Sequence, residues 1–140
     1  MIGGYEPGLG RDLDGVRVLL VDDDEFVREV MTLVLEDRGA RVIGVATVGD
    51  ALAELRREQP DVVVSDLGMP DEDGYALIRK IRALRADEGG DVPAVAVTGF
   101  VRRGDSTRTI REGFQAHFCK PVDGAVLAAA IQRLVRKTPA

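Results

Sequence analysis

The stretch VRVLLVDDDE, residues 16–25, decides the fold class, because an almost wholly aliphatic run ends abruptly in four acidic side chains. Apart from Arg17, residues 16–21 have the composition of a strand that is buried on both faces. Related runs recur as DVVVSD at 61–66 and VPAVAVTG at 92–99. Such strands are typical of a parallel sheet with helices on both sides, so these three runs predict its centre.

Segments with helical spacing of apolar residues separate these strands. A first helix is predicted from Glu25 to Arg38, and Gly39 is placed to end it. Thr47 can cap a second helix that runs to about Gln59. Further helices are predicted at about 75–85, at 105–113 and after Pro121, and shorter strands at 41–46 and 116–120. The apolar residues expected to pack inward from the first and last helices are Val27, Val30, Met31, Val34 and Leu35, and Val122, Val126, Leu127, Ile131 and Leu134.

Five strands separated by helices require crossover connections, so the sequence predicts an α/β fold with a doubly wound, five-stranded parallel sheet. The length of 140 residues fits one domain. Residues 1–15 contain five glycines and show no periodicity, and they are predicted to be a flexible N-terminal lead-in or linker.

Charge and composition exclude several classes of function. The net charge of −5 argues against direct nucleic-acid binding, which needs basic surface. The apolar runs are too short to span a membrane, and no signal peptide is visible, so a soluble cytoplasmic protein is expected. The only cysteine, Cys119, excludes an internal disulfide and is predicted to be an inert core thiol.

Polar residues collect where the predicted strands end. Because parallel strands put their carboxyl ends on one edge of the sheet, these side chains should converge. Clustered carboxylates cannot all stay ionised without a cation, and a hard ion such as Mg²⁺ suits an all-oxygen site. A divalent ion, an ammonium and a hydroxyl are what a phosphoryl group needs around it, and an aspartate can itself accept that group. The strand-end residues are Asp22, Asp23, Asp24, Asp66, Thr98 and Lys120.

Four motifs in this order resemble the receiver domain of two-component response regulators: LLVDDDE at 19–25, VVVSDLGMPDEDG at 62–74, AVAVTG at 94–99 and FCKPVD at 118–123. The resemblance covers residues 16–137, which are predicted to form the receiver domain. It implies a flavodoxin-like (CheY-like) receiver fold with strand order 2-1-3-4-5.

By the same resemblance, Asp66 is the phosphoacceptor. Mg²⁺ is held by Asp22 (largely through water), Asp23 and Asp66, together with the main-chain carbonyl of Gly68. Thr98 and Lys120 contact the phosphoryl oxygens, and Lys120–Pro121 is expected to be a cis peptide.

The resemblance also assigns a switch to Thr98 and His117. His117 stands three residues before the lysine, where the family often carries an aromatic residue that moves inward on phosphorylation. Two interpretations stay open for it, a partly buried ring at a strand start and the switch residue itself. The altered surface would comprise about residues 104–136. Gly68 and Phe100 are expected to set the lifetime of the phosphoryl group, with the direction left open by their opposing sizes.

Partners follow from the residues that the chain lacks. Its one histidine is poorly placed for donation, so a histidine kinase or a histidine phosphotransfer protein must supply the phosphoryl group. A downstream protein target is expected, with phosphorylation-dependent homodimerisation as an option and without direct contact to nucleic acid or membrane. The chain is either a stand-alone receiver or part of a longer protein, and DLDGVRVLLVDDDE and GFQAHFCKPVD are similar to receivers attached to hybrid histidine kinases.

One alternative belongs to a different class, the haloacid-dehalogenase-like phosphatases. In such enzymes an Asp-x-Asp pair follows a hydrophobic strand, and Asp22 and Asp24 have that spacing. The alternative lacks the acidic pair expected after the lysine, where only Asp123 is found, and gives Asp66 no role. Asp24 is better explained as a helix cap. A pseudo-receiver that only binds partners would lack one of the key residues, and none is missing.

Overall fold

The computed structural model describes residues 12–99 and 105–136, in which five parallel strands alternate with five α-helices. The sheet order is β2-β1-β3-β4-β5, which confirms the predicted topology. The elements are β1 (Arg17–Val21), α1 (Glu25–Glu36), β2 (Arg41–Val45), α2 (Val48–Glu58), β3 (Val62–Ser65), α3 (Gly74–Arg82), a 3₁₀ turn (Ala86–Glu88), β4 (Ala94–Thr98), α4 (Asp105–Glu112), β5 (Ala116–Cys119) and α5 (Gly124–Arg136).

Short polar side chains begin the first three helices. Asp24, Thr47 and Asp73 each accept a hydrogen bond from the backbone N–H three residues later, at 3.0, 3.1 and 2.9 Å. Each bond satisfies one of the donors that a helix start leaves unpaired. Gly39 follows α1 with φ of +97°, a conformation that favours glycine, and a Cβ there would lie 2.2 Å from Asp14 Oδ1. The predicted cap at Thr47 and the stop at Gly39 are confirmed.

Two apolar layers enclose the sheet, because alternate strand residues point to opposite faces. Leu19 and Val63 pack with Leu55 and Ile78 on the side covered by α2 and α3. The opposite layer lies under α1 and α5 and includes Val18, Leu20, Met31, Leu35, Leu127 and Ile131. None of the helices described within residues 12–99 and 105–136 is both long enough and apolar enough to cross a bilayer.

The folded unit starts before the predicted boundary at residue 16. Leu13 is fully buried, and its N–H donates to the carbonyl of Arg38 at 2.9 Å. Asp12 pairs with Arg38 at 3.2 Å and accepts a hydrogen bond on its carbonyl from Gln132 at 3.1 Å. Burying a leucine contributes about 1.5–3 kcal/mol, so residues 12–15 are part of the domain. The remainder of the predicted lead-in, residues 1–11, lies outside the described residues.

Three predicted core positions are exposed instead. Val30 and Val126 are 41% and 51% exposed, although each directly precedes a buried residue. One residue turns a helix by about 100°, which takes both valines from the buried stripe to its edge. Cys119 is also exposed, because it ends the edge strand β5. The prediction that Cys119 is a core thiol was wrong.

Polar contacts attach α4 to α3. Among residues 106–112 only Thr109 is buried, and its hydroxyl lies 3.2 Å from that of Tyr75. The guanidinium of Arg108 lies 3.9 Å from the centroid of the Tyr75 ring, and Arg79 pairs with Glu112. Over residues 106–112, α4 is therefore held to α3 mainly by polar contacts, with little apolar burial.

Candidate functional site

The ends of β1 and β3 bring the predicted acidic residues together. Val21 and Ser65 are partners in register, so the next residues, Asp22 and Asp66, stand side by side at the carboxyl edge of the sheet. Asp22 is 1% exposed and Asp66 is 9% exposed, whereas Asp23 is open to solvent. Carboxylate oxygens of these three residues lie within 4.8 Å of one another. The site occupies the point where the strand order reverses, which is where this type of sheet binds ligands.

Lys120 reaches this cluster from the end of β5. Its Nζ lies 2.8 Å from Asp22 Oδ2 and 3.4 Å from Asp66 Oδ2. Burial by itself lowers the pKa of the Lys120 ammonium, but the hydrogen bond with Asp22 and the charge of Asp66 outweigh that effect and raise it. The position of Lys120 between two carboxylates therefore favours its charged form. The Lys120–Pro121 peptide bond is cis.

The carboxyl group of Asp66 has a raised pKa. Burial is the main cause, the charge of Lys120 opposes it, and the nearby charge of Asp22 adds to it. One oxygen, Oδ1, accepts a hydrogen bond from the Gly68 N–H at 3.3 Å. The other, Oδ2, faces Lys120. A carboxylate oriented in this way can bind a cation or attack an electrophile.

Asp24 does not belong to the cluster. Its N–H donates to Asp22 Oδ1 at 2.9 Å, while its own side chain caps α1. The prediction that Asp24 is a helix cap is confirmed. An Asp-x-Asp site formed by Asp22 and Asp24 is not what the chain builds.

Thr98 and His117 lie on one face of the sheet. Thr98 ends β4, is 4% exposed, and accepts on its carbonyl a hydrogen bond from the Lys120 N–H at 2.8 Å. His117 is half-buried and pairs in register with Ala96, two residues before Thr98. Since residues two apart in a strand share a face, the imidazole ring of His117 and the hydroxyl of Thr98 are on the same side of the sheet. Phe100 lies outside the described residues.

The charges of the cluster fit a divalent cation. Asp22, Asp23 and Asp66 carry three formal negative charges against one positive charge on Lys120, which leaves a formal excess of two. All the side-chain donors of the cluster are oxygens, the ligand type that Mg²⁺ prefers. Asp22 and Asp66 are buried among apolar strands, so this excess is costly unless a cation neutralises it.

A family model described as the response regulator receiver domain matches residues 18–132. The chain belongs to this family. Receiver domains of this family are signalling switches, and as a member of the family this chain is a signalling switch.

Three relatives illustrate the similarity. An uncharacterised 14.6 kDa protein from Leptolyngbya boryana is 39% identical over 116 residues, which cover 83% of this chain and 87% of that one. Hybrid signal transduction histidine kinase D from Dictyostelium discoideum is 35% identical over 131 residues, 89% of this receiver but only 8% of the kinase. Among solved structures, the receiver domain of a sensor histidine kinase from Pseudomonas aeruginosa is 31% identical with a TM-score of 0.78, and covers 87% of this chain and 98% of that one. Its structure has a magnesium ion coordinated in the active site cleft.

The comparisons give no support to the haloacid-dehalogenase-like alternative. The matched family spans all four motifs, Asp24 caps α1 instead of joining Asp22 in a site, and Asp66, which the alternative leaves without a role, lies inside the cluster.

Sequence reasoning missed two residues of the receiver that shape the site. Arg28 of α1 donates from Nη1 to the carbonyl of Asp22 at 2.7 Å. Gly74 allows the loop after Asp66 to fold tightly, because a Cβ there would lie 2.3 Å from the Asp66 carbonyl oxygen. No local pattern signals the Arg28 contact, since a charged residue on a helix is usually solvated. Gly74 belongs to the motif at 62–74, but its close approach to the Asp66 carbonyl could not be inferred from the sequence.

Proposed function

We propose that the receiver accepts a phosphoryl group on Asp66 in a Mg²⁺-dependent reaction and thereby changes its partner-binding surface. The observation that carries this proposal is the position of Asp66: its carboxylate lies beside Asp22 and Asp23 and within 3.4 Å of the Lys120 ammonium. An acid at a strand end without these neighbours would be an ordinary turn residue.

The metal ligands are proposed to be Asp22, Asp23 and Asp66, with the main-chain carbonyl of Gly68. Mg²⁺ bound there supplies charge neutralisation for the transferred phosphoryl oxygens. A Cβ at Gly68 would meet nothing within 4 Å, so a larger side chain would fit at this position, two residues after the acceptor. The size of the residue at position 68 is proposed to bear on the lifetime of the phosphoryl group.

In the transfer step, an oxygen of Asp66 attacks the phosphorus of a phosphohistidine or of a small acyl phosphate. A P–O bond to Asp66 forms while the P–N or P–O bond of the donor breaks, and the leaving group keeps the electron pair. Lys120 and the hydroxyl of Thr98 are proposed to bind the phosphoryl oxygens. The receiver contributes positioning and charge, which is most of what this chemistry requires.

The switch is proposed to run from Thr98 to His117. The new phosphoryl group adds negative charge and acceptor oxygens and recruits the Thr98 hydroxyl. The register places His117 on the same face of the sheet as Thr98. The weakly attached α4 borders this face, so residues of α4, β5 and α5 form the proposed output surface, for a protein target or a second receiver.

The donor is proposed to be a histidine kinase or a histidine phosphotransfer protein in the cytoplasm. An apolar groove of about 310 Å³ begins beside the site and runs between α1 and the β5–α5 loop. Phe26, 73% exposed, and Val30 line it on α1, and Lys120 and Pro121 line its other side. Exposed apolar side chains next to the acceptor suit a partner helix that carries the phosphohistidine.

Truncating this groove should separate the protein donor from a small donor. In the double variant Phe26→Ala and Val30→Ala, transfer from a phosphorylated phosphotransfer protein that labels the wild type should slow by about tenfold or more. Transfer from acetyl phosphate should be unchanged, because Asp66 and its neighbours are untouched. Rates are measured by stopped reactions on gels that separate the phosphorylated forms.

Ile110→Ala is the matched control, since Ile110 is 50% exposed on α4. Ile110→Ala should accept the phosphoryl group from both donors at the wild-type rate. If the double variant is slowed equally with the phosphotransfer protein and with acetyl phosphate, the defect lies in the site around Asp66, and the groove has no docking role.

The function itself is tested by incubation with acetyl phosphate. The mass of the intact protein should increase by one phosphoryl group when Mg²⁺ is present, and should stay unchanged when a chelator removes it. Beryllofluoride, which mimics a phosphoryl group on a carboxylate, should shift NMR signals of α4, β5 and α5. A protein that gains no phosphoryl group and shows no such shifts is not a functional receiver.

A further inference from the structure

The peptide that joins Asp22 to Asp23 is held from outside the acidic cluster. The Asp22 N–H donates to the carbonyl of Val45 at 3.1 Å, which continues the pairing of β1 with β2. The Asp22 carbonyl instead accepts from Arg28 Nη1 at 2.7 Å. A guanidinium on α1 thus holds this carbonyl just past the last strand residue.

The direction of this carbonyl matters for both acids. It sets the plane of the Asp22–Asp23 peptide, which also contains Cα of Asp23, and so it constrains where the Asp23 side chain begins. The Asp22 side chain is fixed independently, by the Asp24 N–H on one oxygen and Lys120 on the other. The Asp23 side chain is exposed, so its position depends more on its backbone.

Gly44 on β2 makes room for the Arg28 side chain. A Cβ at Gly44 would lie 3.2 Å from both Cγ and Cδ of Arg28, so the aliphatic stem lies directly over this glycine. Glycine weakens a strand interior, which makes its presence in β2 worth explaining. The absence of a side chain at Gly44 lets the guanidinium extend along β2 to the end of β1.

We propose that Arg28 is a positioning residue for the metal site, acting through the Asp22 carbonyl, and that Gly44 is required for its reach. This inference rests on the proposed Mg²⁺ site and adds a residue that is not itself a ligand. Outer contacts of this kind orient metal ligands and commonly change metal affinity by about 10- to 100-fold when they are removed.

Binding of Mg²⁺ alone, followed by NMR on the unphosphorylated protein, tests the proposal without any catalytic readout. In Arg28→Met, which keeps the stem and removes the donors, the half-saturating Mg²⁺ concentration should rise about tenfold. Arg28→Lys should show a smaller rise, because it keeps a cationic donor with a shorter reach. Arg56→Met is the matched control: it removes the same charge from an exposed position on α2 and should leave the titration unchanged.

Gly44→Ala keeps the test valid if Arg28→Met folds poorly. It retains the guanidinium but crowds the stem, so the Mg²⁺ titration should shift in the same direction by a smaller factor. The unfolding temperature without Mg²⁺ is measured for every variant. A fall in that temperature with an unchanged Mg²⁺ midpoint means that Arg28 only anchors α1, and this would overturn the proposal.

The outcomes separate the inference from the function on which it rests. If the wild type itself binds no Mg²⁺ at this edge of the sheet, the proposed metal site fails and the positioning role fails with it. If the wild type binds and Arg28→Met binds equally well, only the positioning role is wrong.

Discussion

Asp66→Asn is expected to abolish Mg²⁺-dependent phosphorylation, with incorporation from acetyl phosphate falling more than about 100-fold. The amide keeps the shape of the side chain, but it cannot supply the carboxylate oxygen that attacks phosphorus. The fold should survive, because burial disfavours the charged form of Asp66 and raises its pKa despite the opposing charge of Lys120, so a neutral amide is tolerated there. The mass of the intact protein measures incorporation, and circular dichroism checks the fold.

Asp24→Asn is the matched control for this experiment. Its amide oxygen can still accept from the N–H of Val27, so α1 stays capped and phosphorylation should continue at the wild-type rate. A different result would revive the phosphatase-like alternative: Asp66→Asn would still gain the mass of a phosphoryl group, and Asp22→Asn would not. In that event Asp22 would be the nucleophile.

Lys120→Met is expected to slow phosphorylation from acetyl phosphate by about 100-fold. The ammonium lies 2.8 Å from Asp22 and 3.4 Å from Asp66, and it is placed to stabilise charge on the transferred group. Loss of one such donor commonly costs about 10²–10³ in rate. Burial already raises the pKa of Asp66, and the charge of Lys120 lowers it. Because the variant removes that charge, the pKa of Asp66 should rise further. Initial rates at saturating Mg²⁺ measure the effect.

Lys80→Met provides the comparison for Lys120→Met. Lys80 lies exposed on α3 and pairs with Glu72, so its removal changes the net charge equally without touching the cluster. Its phosphorylation rate should match that of the wild type. Equal rates in Lys120→Met and Lys80→Met would show that the ammonium has no part in the transfer.

The alternation of strands and helices was predictable, because it depends on local patterns. An aliphatic run and the helical spacing of apolar residues are properties of short segments, and short polar caps such as Thr47 act over one turn. The convergence of Asp22, Asp23 and Asp66 was also predictable, since parallel strands end at the same edge. The shared edge needed no knowledge of which strand neighbours which, but close contact between Asp22 and Asp66 requires β1 and β3 to be neighbours. The strand order itself was implied only by the resemblance to receivers.

The predictions failed at positions where burial of a side chain depends on segments that are distant in the sequence. Helical spacing correctly placed Met31 in the core. It could not show that the buried face of α1 is too narrow to include the adjacent Val30. Residues 1–15 were predicted to be a flexible lead-in or linker because they contain five glycines and show no periodicity. Leu13 within them is nevertheless buried, and its N–H bonds to the carbonyl of Arg38.

The sequence by itself determined the type of fold and the edge of the sheet where its polar strand-end residues collect, because both follow from local periodicity and the direction of the strands. The tertiary structure alone decided how those residues are held. The bond from Arg28 to the Asp22 carbonyl and the tight approach of Gly74 to Asp66 depend on distances between separate elements. Such distances are set by packing in three dimensions, which leaves no periodic trace in the chain.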